Sequence, residues 1–210
     1  MSLVENISDA LQKGKAKDVV QFVQEALDSG IPAQDILDNG LLKGMGVIGA
    51  KFKNNEVFIP EVLIAARALN KGTELLKAAL LAEGVEPIGK AIICTVKGDL
   101  HDIGKNLVKM MLEGAGFEVV DLGVDIAEDK IIEAVKEYNP QILCLSALLT
   151  TTLNQQQVVL EALKKDGLRD KVKVLVGGAP VTQSYCDQIG ADGYAPDAAS
   201  AAETAKSFVS

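Results

Sequence analysis

The one histidine of this chain, His101, lies between two carboxylates and two glycines in the run Gly98-Asp99-Leu100-His101-Asp102-Ile103-Gly104. An imidazole that gives one ring N–H to a carboxylate has a fixed tautomer and is a stronger donor to a metal through its other nitrogen. Asp99, two residues earlier, is the natural carboxylate for that pairing, and Asp102 reads as a solvated loop acid. A zinc site is not completed here. Asp99, His101 and Asp102 are too close in sequence to converge easily on one ion, and the chain offers no second histidine. A single histidine can still ligate a metal whose remaining ligands belong to a cofactor.

The elements around this run place it on a ligand-binding rim. Ala91-Ile92-Ile93-Cys94-Thr95-Val96 has the length and branched composition of a strand buried on both faces. Leu107, Val108, Met111 and Leu112 then form one apolar face of a helix. His101 therefore falls in a strand-to-helix loop, and in an open parallel sheet such loops lie beyond the carboxyl ends of the strands, where ligands bind. From residue 90 the alternation continues: strands at 90–96, 118–122, 141–145, 172–176 and 192–195, and helices at 104–115, 127–138, 152–165, 181–189 and 197–208. Right-handed crossovers turn this into a five-stranded, doubly wound parallel sheet of flavodoxin-like order. Two more loops then share the rim, Ser146-Ala147-Leu148-Leu149-Thr150 and Gly177-Gly178-Ala179-Pro180.

The first 88 residues read as a four-helix bundle. In Lys17 to Asp28 the apolar face is Val19, Phe22, Val23, Ala26 and Leu27, and Gly30 and Pro32 punctuate its end. A further helix from about Ala33 to Phe52 carries four glycines that let another surface approach its backbone. Pro60 suits the first turn of the last helix, whose seam is Val62, Ala66, Leu69, Thr73, Leu76 and Leu80. The Gly- and Pro-punctuated stretch 83–89 reads as a linker, which sets a helical domain at 1–88 and a sheet domain at 89–210.

Composition narrows the function. A net charge of −8 and a pI near 4.8 argue against nucleic acid, since clustered Lys and Arg are absent. No stretch has the ~20 apolar residues of a membrane helix, and the N-terminal residues lack a signal-peptide pattern, so the expected location is cytoplasmic. Cys94, Cys144 and Cys186 read as reduced structural thiols. Two motifs mislead. Gly44-Met45-Gly46-Val47-Ile48-Gly49 matches a dinucleotide fingerprint but follows no strand. Gly104-Lys105-Asn106 imitates a phosphate loop, yet Asp99 and Asn106 replace its first glycine and its magnesium-holding hydroxyl. A receiver domain would share the fold but needs an aspartate where Ser146 stands.

Asp99-x-His101-x-x-Gly104, Ser146-x-Leu148 and Gly177-Gly178 follow one another with 41 and then 28 residues between them. In order and separation they resemble the cobalamin-binding domains of methionine synthase, corrinoid methyltransferase proteins and some mutases. The resemblance extends upstream, where Gly44 to Gly49 and Phe52 through Phe58-Ile59-Pro60 look like the helical cap of methyl-transferring members.

That resemblance implies a cofactor, cobalamin or a related corrinoid, with His101 as the lower axial ligand to cobalt in place of the cofactor's own base. Asp99 would hold the imidazole, with Ser146 the next group in the chain. Gly98 and Gly104 bound the loop, and Gly177 and Gly178 would leave a slot for the displaced nucleotide tail, lined also by Leu148 and Thr150. In the cap, Phe52 and Ile59 would shield the methyl group and Asp38 would touch the corrin. The implied function is methyl carriage between a donor-specific methyltransferase and a second methyltransferase acting on a tetrahydrofolate-type or thiol acceptor, with a reductive activator as a further partner. With no catalytic barrel in the sequence, a carrier subunit is expected. A cobalamin-dependent regulator, for which neither terminus leaves room for a DNA-binding module, and the small subunit of an adenosylcobalamin mutase are the alternatives.

Overall fold

The computed structural model describes residues 2–210. They fall into two compact units, one comprising residues up to Pro87 together with Gly114–Gly116, the other Ile88–Glu113 and Phe117–Ser210.

The first unit is helical. Helix α1 (Leu3–Gln12) opens with a capping box, in which Ser2 Oγ accepts from the Glu5 N–H and the Glu5 carboxylate accepts from the Ser2 N–H. Helix α2 (Ala16–Asp28) buries Val19, Val23 and Ala26. The next helix begins as α3 (Ala33–Asp35), widens into a π-helical segment (Ile36–Leu42) and resumes as α4 (Lys43–Lys53). The uniform α-helix expected over 33–52 is thus corrected: the Lys43 N–H bonds Asp38 O, five residues back, which adds a residue to the turn. Gly40 sits in that turn against the Ile7 side chain, where an added Cβ would come within 3.1 Å, and Gly44 lies as close to Ser8 O. Helix α5 (Ile59–Glu83) has Pro60 in its first turn and ends on Gly84 in the left-handed region at φ 70°. Its buried stripe departs from the expected seam: Ala65, Ala68 and Gly72 join Val62, Ala66, Leu69 and Leu76 and give it extra width, while Thr73 and Leu80 are only half-buried. Gly72 explains the extra width: a Cβ there would meet Leu41 Cδ2 at 2.7 Å, so the small residue lets α5 pack down onto the π segment.

The second unit is a parallel sheet in the order β2-β1-β3-β4-β5, the flavodoxin-type winding. Strands β1 (Lys90–Val96), β3 (Ile142–Ser146) and β4 (Lys173–Gly177) are covered on both faces, which is why they are near-continuous apolar runs. Helices α6 (Ile103–Gly114), α7 (Glu128–Tyr138), α8 (Asn154–Lys165), α9 (Gln183–Ile189) and α10 (Ala198–Val209) follow the strands in turn, with β5 reduced to Gly193–Tyr194. One core gathers Ile92, Cys94, Leu143, Leu145, Val174 and Val176 with Ile131, Val159 and Leu160 of α7 and α8. All three cysteines are buried and unpaired. Burial pushes the Cys144 thiol up to about 12 and raises Cys94 further, so neither ionises near neutrality.

Strand β2 (Glu118–Ile126) outruns its expected end at 122. Ile93 pairs with Asp121, Cys94 with Gly123 and Val96 with Ile126, so β2 carries one extra residue in each interval. These bulges contain Gly123 at φ 94° and Asp125 at φ 55°, and they carry the end of β2 away from a regular ladder toward the loop that holds His101.

Candidate functional site

The loop after β1 begins as a tight turn. The Asp99 N–H bonds Val96 O at 3.2 Å, and Gly98 stands at the third position with φ 80°, the arrangement of a type II turn, which favours glycine there. The turn delivers Asp99 into a fully buried position at the carboxyl ends of the strands. A buried carboxylate costs several kcal/mol unless compensated, and Asp99 is surrounded by donors. Its Oδ1 accepts from the His101 N–H (3.1 Å) and faces His101 Nδ1 (2.7 Å). Its Oδ2 accepts from the N–H groups of Leu148 (2.7 Å) and Leu149 (3.2 Å) and from the Thr152 hydroxyl (2.7 Å). Hydrogen bonds to a charged group contribute about 1.5–3 kcal/mol each, so the set outweighs desolvation. Burial alone would raise the Asp99 pKa; the bonds from Thr152, His101 and the Leu148 and His101 backbones reverse that and hold it well below the usual carboxylate range.

An ionised carboxylate only accepts, so the ring nitrogen that faces Asp99, Nδ1, is the one that carries a proton, and Nε2 is the nitrogen left for another partner. The His101 side chain is 50% exposed, and no hydrogen bond to Nε2 exists among the described residues. The buried Thr95 hydroxyl also donates to His101 O at 2.9 Å. The histidine is held through its N–H, its C=O and its ring, with half of its side chain exposed. Among the described residues no three His, Cys, Asp or Glu side chains cluster as a metal site, so protein groups alone would not surround an ion here.

The expected link from Asp99 to Ser146 is corrected. Ser146 lies level with Thr95 and Gly177 in the sheet, but the hydroxyl on Asp99 belongs to Thr152, in the turn before α8. That turn occupies the start of the helix expected over 152–165, and α8 begins only at Asn154. The Leu148 N–H bonds the Asp99 carboxylate while its side chain is exposed, and Thr150 is exposed in the same loop.

The two glycines of the third loop separate in role. At Gly178, φ is 128° and a Cβ would lie 1.8 Å from Ala147 O, so the chain there requires glycine for its own backbone. At Gly177 the nearest atom to an added Cβ is Ala195 O at 3.7 Å, which leaves room beside it. Buried Gln156 of α8 donates from Nε2 to Leu145 O (2.9 Å) and Gly177 O (3.1 Å), and its Oε1 is a buried acceptor without a protein donor. The rim is also apolar: Leu100 is 72% and Ile103 69% exposed on either side of His101, with Leu148 and Leu149 exposed nearby.

Gly98 and Gly104 bound the histidine loop, and an added Cβ at Gly104 meets nothing within 4 Å. Lys105, the residue that imitates a phosphate-loop lysine, is buried and bonds both Asp121 oxygens at 2.7 Å. In the helical unit Phe52 is half-buried on α4, Ile59 is exposed in the first turn of α5, and Asp38 is exposed in the π segment.

The chain matches a B12 binding domain family over residues 89–203 and a second B12 binding domain family over residues 3–77. It is 42% identical over 207 residues to dimethylamine corrinoid protein 3 of Methanosarcina acetivorans, covering 99% of this chain and 97% of that protein. Among solved structures, the methanol:cobalamin methyltransferase complex MtaBC of Methanosarcina barkeri superposes with a TM-score of 0.88 at 32% identity, over 99% of this chain and 79% of that one. A cobalamin-binding protein of Desulfitobacterium hafniense superposes with a TM-score of 0.83 at 33% identity over the full length of both chains.

Proposed function

The chain belongs to the family of B12-binding corrinoid proteins, and from that premise we propose that it carries a methyl group between two methyltransferases, binding its corrinoid through His101. One observation carries the reading: a half-exposed imidazole whose Nδ1 is fixed by a buried carboxylate and whose Nε2 has no hydrogen-bond partner among the described residues. The residues around it fit the group. Leu100, Ile103, Leu148 and Leu149 offer apolar surface to a large ring, the space beside Gly177 accommodates a tail, and Gln156 Oε1 offers it a buried acceptor.

When bound, the corrinoid supplies a cobalt centre that takes up and gives up a methyl group. The protein's part is to present and tune one nitrogen. Asp99 fixes the tautomer so that Nε2 is always the donor, and its charge strengthens that donor. Thr152 and the Leu148 and Leu149 amides hold the carboxylate, and through it the imidazole, in one place. Gly98 and Gly104 shape the loop, Leu148, Thr150 and Gly177 border the path of the tail, and Gly178 and Ser146 stand at the strand ends beside it. Phe52 and Ile59 are proposed shields of the methyl group, and Asp38 a polar contact to the ring. The partners are a donor-specific methyltransferase, a second methyltransferase with a tetrahydrofolate-type or thiol acceptor, and a reductive activator. The named methylamine and methanol systems of the relatives make small methylated amines and methanol the first donors to try.

Reconstitution with cobalamin, followed by methyl loading with a purified methylamine or methanol methyltransferase, tests the proposal. A red protein with one corrinoid per chain that gains and loses a methyl group is expected. A colourless protein without cobalt, after refolding in excess cofactor, would end the reading.

A further inference from the structure

The bulged end of β2 does more than complete the sheet. Asp125 occupies the left-handed region at φ 55°, a conformation that strains an L-residue and is tolerated best by Asn and Asp. Its Oδ1 accepts from the Gly98 N–H at 2.7 Å, and its own N–H donates to Asp99 O at 3.0 Å. These two bonds bracket the type II turn. Gly98 N–H belongs to the central peptide of that turn, the one whose orientation distinguishes type II from type I, and Asp99 O belongs to the peptide that leads toward His101. Without the bulge between Gly123 and Ile126, β2 would run past the loop in register and neither group would be reached.

We propose that Asp125 is a positioning residue for the axial histidine, fixing the peptide planes on both sides of the turn so that the Asp99 carboxylate meets His101 Nδ1. The inference deepens the corrinoid reading and rests on it for its purpose, but its geometry belongs to the chain alone. The strained residue is retained because it supplies two bonds to the loop at once, one from its side chain and one from its backbone. Asn in its place keeps an acceptor and tolerates the same φ. Gly relieves the strain but removes the acceptor. Ala removes the acceptor and keeps a Cβ in the left-handed region.

The test uses the single histidine. In the cofactor-free chain labelled with 15N-histidine, a two-bond proton–nitrogen correlation spectrum, taken where the ring is neutral, shows which nitrogen carries the proton. Wild type and Asp125→Asn should give one tautomer, protonated on Nδ1. Asp125→Gly and Asp125→Ala should lose that single tautomer and show averaged nitrogen shifts. With cofactor added, the same two variants should bind cobalamin about 10-fold more weakly, the lower end of what loss of a ligand's supporting partner costs, and Asp125→Asn should restore the affinity. If Asp125→Ala does not fold, Asp125→Gly decides. Variants that melt at a lower temperature yet keep the wild-type tautomer would show Asp125 to be structural only, and the proposal would be overturned. A chain that takes up no corrinoid at all would defeat the functional reading while leaving the tautomer result to stand or fall by itself.

Discussion

The candidate groups of the sheet unit and those of the helical unit are held in different ways. Asp99 and His101 are fixed by residues far along the chain: Thr152 is 53 positions away, the Leu148 amide 49, and Asp125 reaches Gly98 across 27. Phe52 and Ile59 stand on helices whose backbones are satisfied locally, and Phe58, Ile59 and Leu63 leave apolar surface exposed along the start of α5. A network tied together from several strand ends is preorganised, whereas a helix face is a surface whose effect depends on what comes against it. If His101 is the axial ligand as proposed, substitutions in the rim should change how that ligand is presented, and substitutions in the helical unit should change only the proposed shielding of the methyl group.

The sharpest contrast lies within one loop. Gly178→Ala puts a Cβ into Ala147 O and an L-residue at φ 128°, so it should lower stability by roughly 3 kcal/mol or more, read as a fall in melting temperature of the cofactor-free chain. A Cβ at Gly177 meets only ordinary contact, so Gly177→Val should melt closer to wild type than Gly178→Ala does, yet lose about 10-fold or more in affinity for cobalamin through filling of the slot. Cobinamide, which lacks the nucleotide tail, should bind the Val variant and wild type equally. Equal loss for both ligands would place the tail elsewhere.

Asp99→Asn comes next. It keeps the size of the side chain but removes the charge that fixes the imidazole, and corrinoid affinity should fall about 10 to 100-fold. The same substitution has a signature without cofactor. Because the folded pKa of Asp99 lies below its unfolded value near ~3.9, its stabilisation is complete above that value and is lost as the pH falls through the folded one. Melting temperature should therefore drop more steeply below about pH 4 in wild type than in Asp99→Asn. Parallel acid profiles in the two proteins would mean that the carboxylate is not held as the geometry indicates.

How much of this could be read in advance follows the same division. The strand-to-helix position of His101 and its pairing with Asp99 are local, two residues apart, and periodicity locates the loop. Thr95 and Thr152 are not legible, because Ser146 and Thr152 both offer a hydroxyl near the third strand end and only the turn at 149–153 decides which one faces the carboxylate. Strand β2 reads short because Gly123 and Asp125 are residues that normally end strands, and here they form bulges instead. The π turn at Ile36–Leu42 is invisible for a related reason: one added residue shifts the apolar period without changing the helical composition. Gly177 and Gly178 look equivalent as letters and differ only in φ and in what lies beside them.

The smallest effect is expected from the helical unit. Phe52→Ala and Ile59→Ala should leave corrinoid affinity close to that of wild type, since neither residue supplies a bond to Asp99 or His101, while photolysis of the methyl-loaded protein should quicken. Photolysis at the wild-type rate in the double variant would remove both residues from any shielding role.

Ligation of cobalt by His101 is the central claim, and the presence of one histidine allows a direct measurement. Protein grown on 15N-histidine and loaded with cobalamin is reduced to cobalt(II), and its electron paramagnetic resonance spectrum is compared with that of unlabelled protein. An axial imidazole from His101 changes the nitrogen splitting from the threefold pattern of 14N to the twofold pattern of 15N. A threefold pattern in the labelled protein would mean that the cofactor keeps its own base, and the account of this loop would be contradicted.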